Sequence, residues 1–382
     1  MNKVILIGGN HHNGLGLVRS FGLHNIKPYG LIINQKSSRS FVSRSRYWQK
    51  TWEFKTEIEA VDFLVHNFAK ESEKPVIIPW SDSAAATIDN NIYRLQDNFI
   101  VPSLGGIQGA IVEMMNKNRQ IDFLKKYDLP MAKSWIVELP FIGKITDFCY
   151  PCICKPVSSY EGYKIDIKKC LTPIELEEYL DILNRKGYNR ILVQEYISYD
   201  KELEFIGSCD DEPAYIISNN VRTWPLVGGT NSYMQIINDP MINKVCMRLL
   251  KALQEEKYFG MFDIELFQKG DRVLINEINW RNSGNSFFSI GTDVHYAVIW
   301  YLNAIGVDTT KMRHHTTDVT KFAMNESTDL RHVFFKGMSF REWFNHLRKT
   351  DSFALWFIKD LSPTLWQYSY LLKELLLHRR NG

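Results

Sequence analysis

The 382-residue sequence predicts an α/β protein. Three observations carry this. The apolar run at residues 4–7 breaks at Gly8-Gly9-Asn10, and helical spacing follows over 14–23, the start of a strand–turn–helix unit. Further apolar runs at 29–33 and 76–79 alternate with helical segments near 57–69 and 83–95, the order that builds a parallel sheet. Much later, two apolar runs flank Lys269-Gly270-Asp271-Arg272, a hairpin signal.

The remaining elements follow in order. Ile100-Val101 reads as a fourth strand of the first sheet. A helix over 118–127 is stopped by Leu129-Pro130. Strands are expected at 134–137, 152–155 and 191–197. A helix over 172–184 opens with Thr172 as cap and Pro173 in its first turn. Runs at 203–209 and 214–218 form a hairpin around Asp210–Pro213, and a helix spans 241–257. The last hairpin pairs 262–268 with 273–279. From about residue 330 the composition turns aromatic and basic.

Bulk properties narrow the function classes. At roughly 100–200 residues per domain, the chain holds two to four structural units. Hydrophobic content of 45% and charged content of 23% are ordinary for a soluble globular protein. A net charge of +3 is too small for nucleic acid as the main ligand. No run reaches the roughly 20 apolar residues of a membrane span, and the N-terminus reads as a strand instead of a signal peptide. Six cysteines without a secretion signal point to reduced thiols and a cytoplasmic setting. Glycines 8, 9, 14 and 16 lack the spaced dinucleotide fingerprint, and Asn34-Gln35 stand where an acid would end the second strand.

The sharpest signal is the last hairpin. A three-residue turn at 270–272 pairs Lys269 with Val273 and sets Glu265 opposite Glu277. Like charges directly opposed in a sheet are destabilising and need a counter-charge. Glu277 and Asn279 share a face because strand side chains alternate. Three oxygen donors suit Mg²⁺, and Arg281 just beyond suits a two-pronged grip on phosphate or carboxylate. A solvated face with salt-bridged glutamates is the alternative. Upstream, Lys155 ends an apolar strand and precedes the small-residue loop Val157–Gly162. Gln194-Glu195 and Ile197 then lead to Lys201-Glu202-Leu203-Glu204.

In this order, the motifs resemble the ATP-grasp superfamily over roughly residues 1–315, and within it the group containing D-aspartate ligase and the ATP-binding halves of carbamoyl-phosphate synthase. The resemblance implies a Rossmann-like unit at 1–114, a small α+β lid at 115–197 and a larger α+β catalytic part at 198–315, followed by an aromatic-rich, partly helical segment at 316–382. It implies that Lys117 and Lys155 hold ATP phosphates and that Ser158, Ser159 and Gly162 belong to the phosphate loop, here poorer in glycine than usual. Gln194, Glu195 and Ile197 would lie at the adenine, and Glu202, or Glu204 in its place, at the ribose. Glu265, Glu277 and Asn279 would hold one or two Mg²⁺ ions, with Mn²⁺ as a substitute. Arg281 would handle the transferred phosphate, with Arg222 reaching it from a catalytic loop.

The implied activity is a carboxylate–amine ligase that makes an acyl phosphate with Mg-ATP and passes it to an amine. A non-ligase enzyme of the superfamily (a carboxylase-like subunit or kinase) and an ATP-binding protein without turnover are the alternatives. Small-molecule carboxylate and amine substrates are the expected partners, and a homodimer is compatible. The tail at 353–377 is expected to pack on the catalytic part or a partner subunit in preference to lying on a membrane. Cys149, Cys152 and Cys154 have no second pair at zinc spacing and read as buried thiols. His11-His12 reads as a plain polar loop, with a place facing the substrate carboxylate as the alternative, His295 as a core or cap residue, and His314-His315 as a surface turn.

Overall fold

The computed structural model describes residues 1–36, 40–157, 166–224, 230–312 and 321–378. The N-terminal part is built from β1 (Val4–Gly9), α1 (His12–Leu23), β2 (Tyr29–Ile33), β3 (Lys50–Phe54), α2 (Glu57–Phe68), β4 (Val76–Pro79) and α3 (Asp82–Asp89). Its sheet is parallel, in the order β3-β2-β1-β4. β1 is central and its alternation is used on both faces. Val4 and Leu6 pack with Leu15, Val18 and Phe21 of α1, while Ile5 and Ile7 pack with Val61 and Leu64 of α2 and Ile88 of α3. Such two-sided burial explains the unbroken apolar run.

Two expectations need correction here. Ile100 makes only an isolated bridge to Val76; the fourth strand is β3. Its sequence, Lys-Thr-Trp-Glu-Phe, is half polar because it forms the sheet edge. The helix expected over 83–95 breaks at Asn90-Asn91 into α3 and the single turn α4 (Ile92–Leu95). β5 (Ser103–Leu104) and α5 (Ala110–Met114) then lead onward.

The second sheet follows α6 (Lys117–Lys126), whose N-terminus is capped by the Asn116 side chain on the Asn118 N–H at 2.9 Å. It contains β6 (Ser134–Glu138), β7 (Cys152–Pro156), β8 (Lys168–Cys170) and, after α7 (Pro173–Arg185), β9 (Arg190–Glu195). The order is β6-β9-β7-β8, antiparallel throughout. β9 stops two residues before the expected end. Cys152, Cys154 and Cys170 are buried free thiols against Leu176, Leu180 and Leu183 of α7. By alternation, Lys155 occupies the opposite face of β7.

The largest sheet is formed by β10 (Lys201–Cys209), β11 (Ala214–Trp224), β12 (Thr230–Ile236), β13 (Tyr258–Lys269) and β14 (Arg272–Asn279), with α8 (Pro240–Glu255) packed beneath. Then come α9 (Phe288–Thr292), α10 (Tyr296–Ala304), β15 (Phe322–Met324), α11 (Glu326–Phe335), α12 (Phe340–Lys349), β16 (Ser352–Phe353) and α13 (Leu361–His378). The order is β14-β13-β10-β11-β12-β15-β16, with β5 on β13. The C-terminal segment therefore extends this sheet. It also docks on the N-terminal part. Arg19 of α1 is buried against Asp360 (3.0 Å), and the Arg44 guanidinium lies 3.7 Å from the Trp366 ring centre. No helix among the described residues is long and apolar enough to cross a membrane.

The β13–β14 hairpin differs from expectation in its turn. Lys269 pairs with Arg272, so only Gly270-Asp271 lie in the turn, and Gly270 takes a left-handed φ of 52°. Such a conformation suits glycine at the first turn position. Asn276 then bulges between the Leu266–Ile275 and Glu265–Glu277 pairs. The bulge absorbs one residue. Glu265 thus stands opposite Glu277 as expected, by a different route. The bulge also keeps Val273 and Ile275 before it, and Ile278 and Trp280 after it, in one core.

Candidate active site

The paired carboxylates sit under the junction of α6 and β7. Gln120 of α6 clamps β14 with both ends of its amide: its Nε2 donates to the Ile278 carbonyl (2.9 Å) and its Oε1 accepts from the Ile278 N–H (3.0 Å). The Lys117 N–H donates to the Val157 carbonyl just past β7 (3.0 Å). These contacts bring Lys117 Nζ to 3.7 Å from Glu277 Oε1. Lys155 is 8% exposed. Burial, reinforced by Lys117, pulls its ammonium down to about 8 against the opposing influence of Glu277 and Glu265. Burial, then Glu277 and Asp263, push the Glu265 carboxyl up to about 8. The structure therefore brings together Lys117, Lys155, Glu265 and Glu277, from elements up to 160 residues apart.

One amide orients an acid, and a second braces the hairpin. Asn276, the bulged residue, donates to Glu265 at 3.1 Å. Asn279 donates from its Nδ2 to the Asp263 main-chain carbonyl at 3.1 Å. Arg281 is gripped by Asp263, and by Asp82 at the start of α3 at 3.1 Å. Asp263 Oδ1 is buried and accepts no hydrogen bond among the described residues.

The acids continue onto β10, where Glu204 is the neighbour of Glu265. Glu204 is buried, accepts from Asn231 and from Asn285 (2.5 Å), and is held well above the usual carboxylate range by burial and Asp263. Glu202 accepts from the Tyr199 hydroxyl at 3.3 Å and is raised, chiefly by burial. The β1–α1 loop closes this end. Desolvation lowers both His11, whose side chain stays exposed, and the half-buried His12. Arg281 also disfavours a charge on His11, and the His12 ring lies 6.1 Å from Phe287. Gly16 is required at this contact, because a Cβ there would stand 2.6 Å from the Phe287 nitrogen.

Other expected residues are placed as follows. Gln194 is buried and donates to the Ser134 hydroxyl at 2.8 Å. The Glu195 N–H donates to the Lys133 carbonyl, and its carboxylate accepts from the Lys133 N–H. Ile197 lies half-buried just past β9. Ser158, Ser159 and Gly162, like His314-His315, lie outside the described residues. Arg222 does not offer a free guanidinium to a phosphate. Asp329 of α11 takes it at 2.7 and 3.1 Å, with His346 at 3.2 Å. Its spacing in the sequence gave no sign of a helix more than 100 residues later. His295 is a core histidine bonded to Ser20 Oγ at 2.7 Å.

Sequence reading missed Asp263, Asp82, Asn285 and Gln120. Asp263 was legible, since Asp-x-Glu on β13 shares one face and faces Asn279 across the hairpin. Asp82 and Gln120 reach the site only through packing between distant elements. Taken together, two lysines and an arginine surround a row of carboxylates. This arrangement suits a polyanion accompanied by a hard cation with oxygen ligands.

Residues 122–291 match the ATP-grasp domain family. The chain is 23% identical over 152 residues to the formate-dependent phosphoribosylglycinamide formyltransferase of Vibrio cholerae, covering 37% of each chain. It is 23% identical over 193 residues to the N5-carboxyaminoimidazole ribonucleotide synthase of Synechococcus elongatus, covering 47% of this chain and 46% of that one. These matches span about a third to a half of the relatives' length. Among solved structures, the N5-carboxyaminoimidazole synthetase of Staphylococcus aureus complexed with ADP superposes with a TM-score of 0.65 at 14% identity, covering 88% of this chain and 86% of that one. The L-amino acid ligase of Bacillus licheniformis gives 0.61 at 14% identity, covering 82% and 76%. This chain is an ATP-grasp-fold protein, with the ATP-grasp domain matched over residues 122–291.

Proposed function

We propose that this protein is a Mg-ATP-dependent carboxylate–amine ligase that activates an acid as its acyl phosphate and transfers the acyl group to an amine, releasing ADP and phosphate. The convergence of Lys117 and Lys155 on the Glu265–Glu277 pair carries the reading. The relatives' names, an amino-acid ligase and a formyltransferase dependent on formate among them, point the same way. So does the neighbour complexed with ADP. In this reading residues 1–114 border the substrates, 115–197 form the lid and 198–315 hold the reacting groups. Free cysteines support a reducing, cytoplasmic setting.

Phosphoryl transfer demands positioning and charge neutralisation more than covalent help. Lys117 and Lys155 would offset the phosphate charge from the lid side. Gln194, Glu195 and Ile197, where the lid meets β10, would border the adenine, and Glu202 the ribose. Glu265, Glu277 and Asn279 would hold Mg²⁺, and the donor set fits. Two facing carboxylates are relieved by a cation between them, and Asp263 Oδ1 is a buried oxygen without a protein partner among the described residues. When bound, Mg²⁺ supplies charge stabilisation to the phosphate oxygens. Arg281, aimed by Asp263 and Asp82, would steady the acyl phosphate and then the tetrahedral intermediate. Such a donor is worth roughly 3 kcal/mol.

A phosphate-release screen with Mg-ATP over pools of carboxylates and amines tests the proposal. Release that requires both pools is the expected result. Release with an acid alone would replace the ligase reading with a kinase or carboxylase-like step.

A further inference from the structure

The C-terminal helices carry a surface that the ligase reaction leaves unused. Phe334 and Phe335 at the end of α11, and Phe340 and Phe344 of α12, are 62%, 73%, 60% and 53% exposed. They form one patch: the Phe334 ring centre lies 6.4 Å from Phe335 and 5.9 Å from Phe340. α12 rests on the body by its other side, where His346 stacks on Tyr233 at 5.0 Å. None of its ten residues is fully buried. Exposed apolar patches on this scale mark sites of contact.

The charge around the rings says what kind of contact. Residues 331–349 contain Arg331, Lys336, Arg341, Arg348 and Lys349 against the single acid Glu342, a net +4. The whole chain carries +3, so all its other residues together sum to −1. The five cations are exposed, and among the described residues none forms an ion pair. Arg331 and Lys336 lie 6.0 and 5.9 Å from the Trp224 ring. The nearest acids are engaged elsewhere, Asp329 with Arg222 and Asp351 with Lys321.

We propose that this face docks the protein peripherally on an anionic membrane surface. The four rings would enter the headgroup layer while the cations meet lipid phosphates and carboxylates, the composition of an interfacial helix. A second copy is the poorer occupant. A two-fold interface places the same patch on both sides, and +4 would face +4. Contact is confined to the surface, because no helix among the described residues can cross the bilayer.

Flotation of the full-length chain tests this, with vesicles of phosphatidylcholine alone and of phosphatidylcholine mixed with phosphatidylserine. The expected result is binding to the mixed vesicles that weakens with added salt, with about fivefold in partitioning for each cation removed. Arg341→Glu with Lys349→Glu should abolish flotation, and Phe340→Ser with Phe344→Ser should reduce it at least about tenfold even at low salt. Both variants should keep wild-type ATP affinity and melting temperature; if the phenylalanine variant unfolds, the charge variant decides alone. Equal binding to neutral vesicles, no flotation at low salt, or wild-type binding by the charge variant overturns the proposal. So does a wild-type dimer in sedimentation that the phenylalanine variant converts to monomer.

Discussion

Glu265 and Glu277 face each other across the β13–β14 hairpin, and Asn276, the residue bulged between their strands, donates to Glu265 at 3.1 Å. Two carboxylates held this way attract a cation, so they should not contribute equally with the amide that aims them. Glu277→Ala should reduce Mg-dependent ADP release to background. Asn276→Ala keeps both carboxylates and should cost about 1 to 3 kcal/mol of transition-state stabilisation, read as a lower kcat. Undiminished turnover by Glu277→Ala would remove the pair from the site.

Lys155 gives the site a pH dependence. Burial lowers its ammonium to about 8, so the charge is present below that pH and lost above it. ATP affinity measured by calorimetry should fall as pH rises through about 8. Lys155→Arg keeps its charge throughout that range and should flatten the profile. Lys155→Ala should bind ATP weakly at every pH. A wild-type profile unchanged in Lys155→Arg would assign the transition to another group.

Asp89 should make stability depend on pH away from the site. It is fully buried, accepts from the Val112 N–H at 2.9 Å, and burial raises its carboxyl from 3.8 to about 6. A raised folded-state value means the folded chain holds the proton longer. The stabilising contribution is therefore complete below about 4 and is lost as pH rises through about 6, each tenfold difference in proton affinity between the folded and unfolded chain being worth roughly 1.4 kcal/mol. The melting-temperature advantage of wild type over Asp89→Asn should shrink between pH 5 and pH 7. A constant offset would contradict this.

Arg19 and Asp360 should matter more singly than together. Their side chains are 0% and 1% exposed at 3.0 Å, and Asp360 also accepts from the Arg46 N–H. Removing one partner of a buried pair leaves an unpaired charge and costs about 3–5 kcal/mol. Asp360→Ala should lose that much in urea unfolding. Arg19→Met with Asp360→Leu should lose less than Asp360→Ala alone, as the double variant buries no unpaired charge.

Much of the fold was legible because its strongest signals are local. The run at 4–7 had to be a strand, and Thr172-Pro173 had to open a helix. Glu265, Glu277 and Asn279 were legible because a hairpin's partners are set by few residues. The exact turn was not. Gly270-Asp271 and the Asn276 bulge reach the same pairing as a three-residue turn would, and periodicity alone does not separate the two. β3 was missed because an edge strand can be half polar, and Arg222 was misplaced because its partner, Asp329, comes from a helix with no local relation to it.

By itself, then, the amino-acid order determined the alternation of strands and helices, the apposed carboxylates and the lysines ahead of them. Backbone dihedrals and side-chain alternation act over a few residues, so these features needed no distant partner. Tertiary packing decided the rest. Gln120 sets Lys117 over Glu277, Asp82 crosses from the N-terminal sheet to hold Arg281, and Asp360 draws the C-terminal segment onto α1. These contacts join residues from 158 to 341 positions apart. No local pattern encodes them, because what selects each is the cost of leaving a buried charge or amide without a partner.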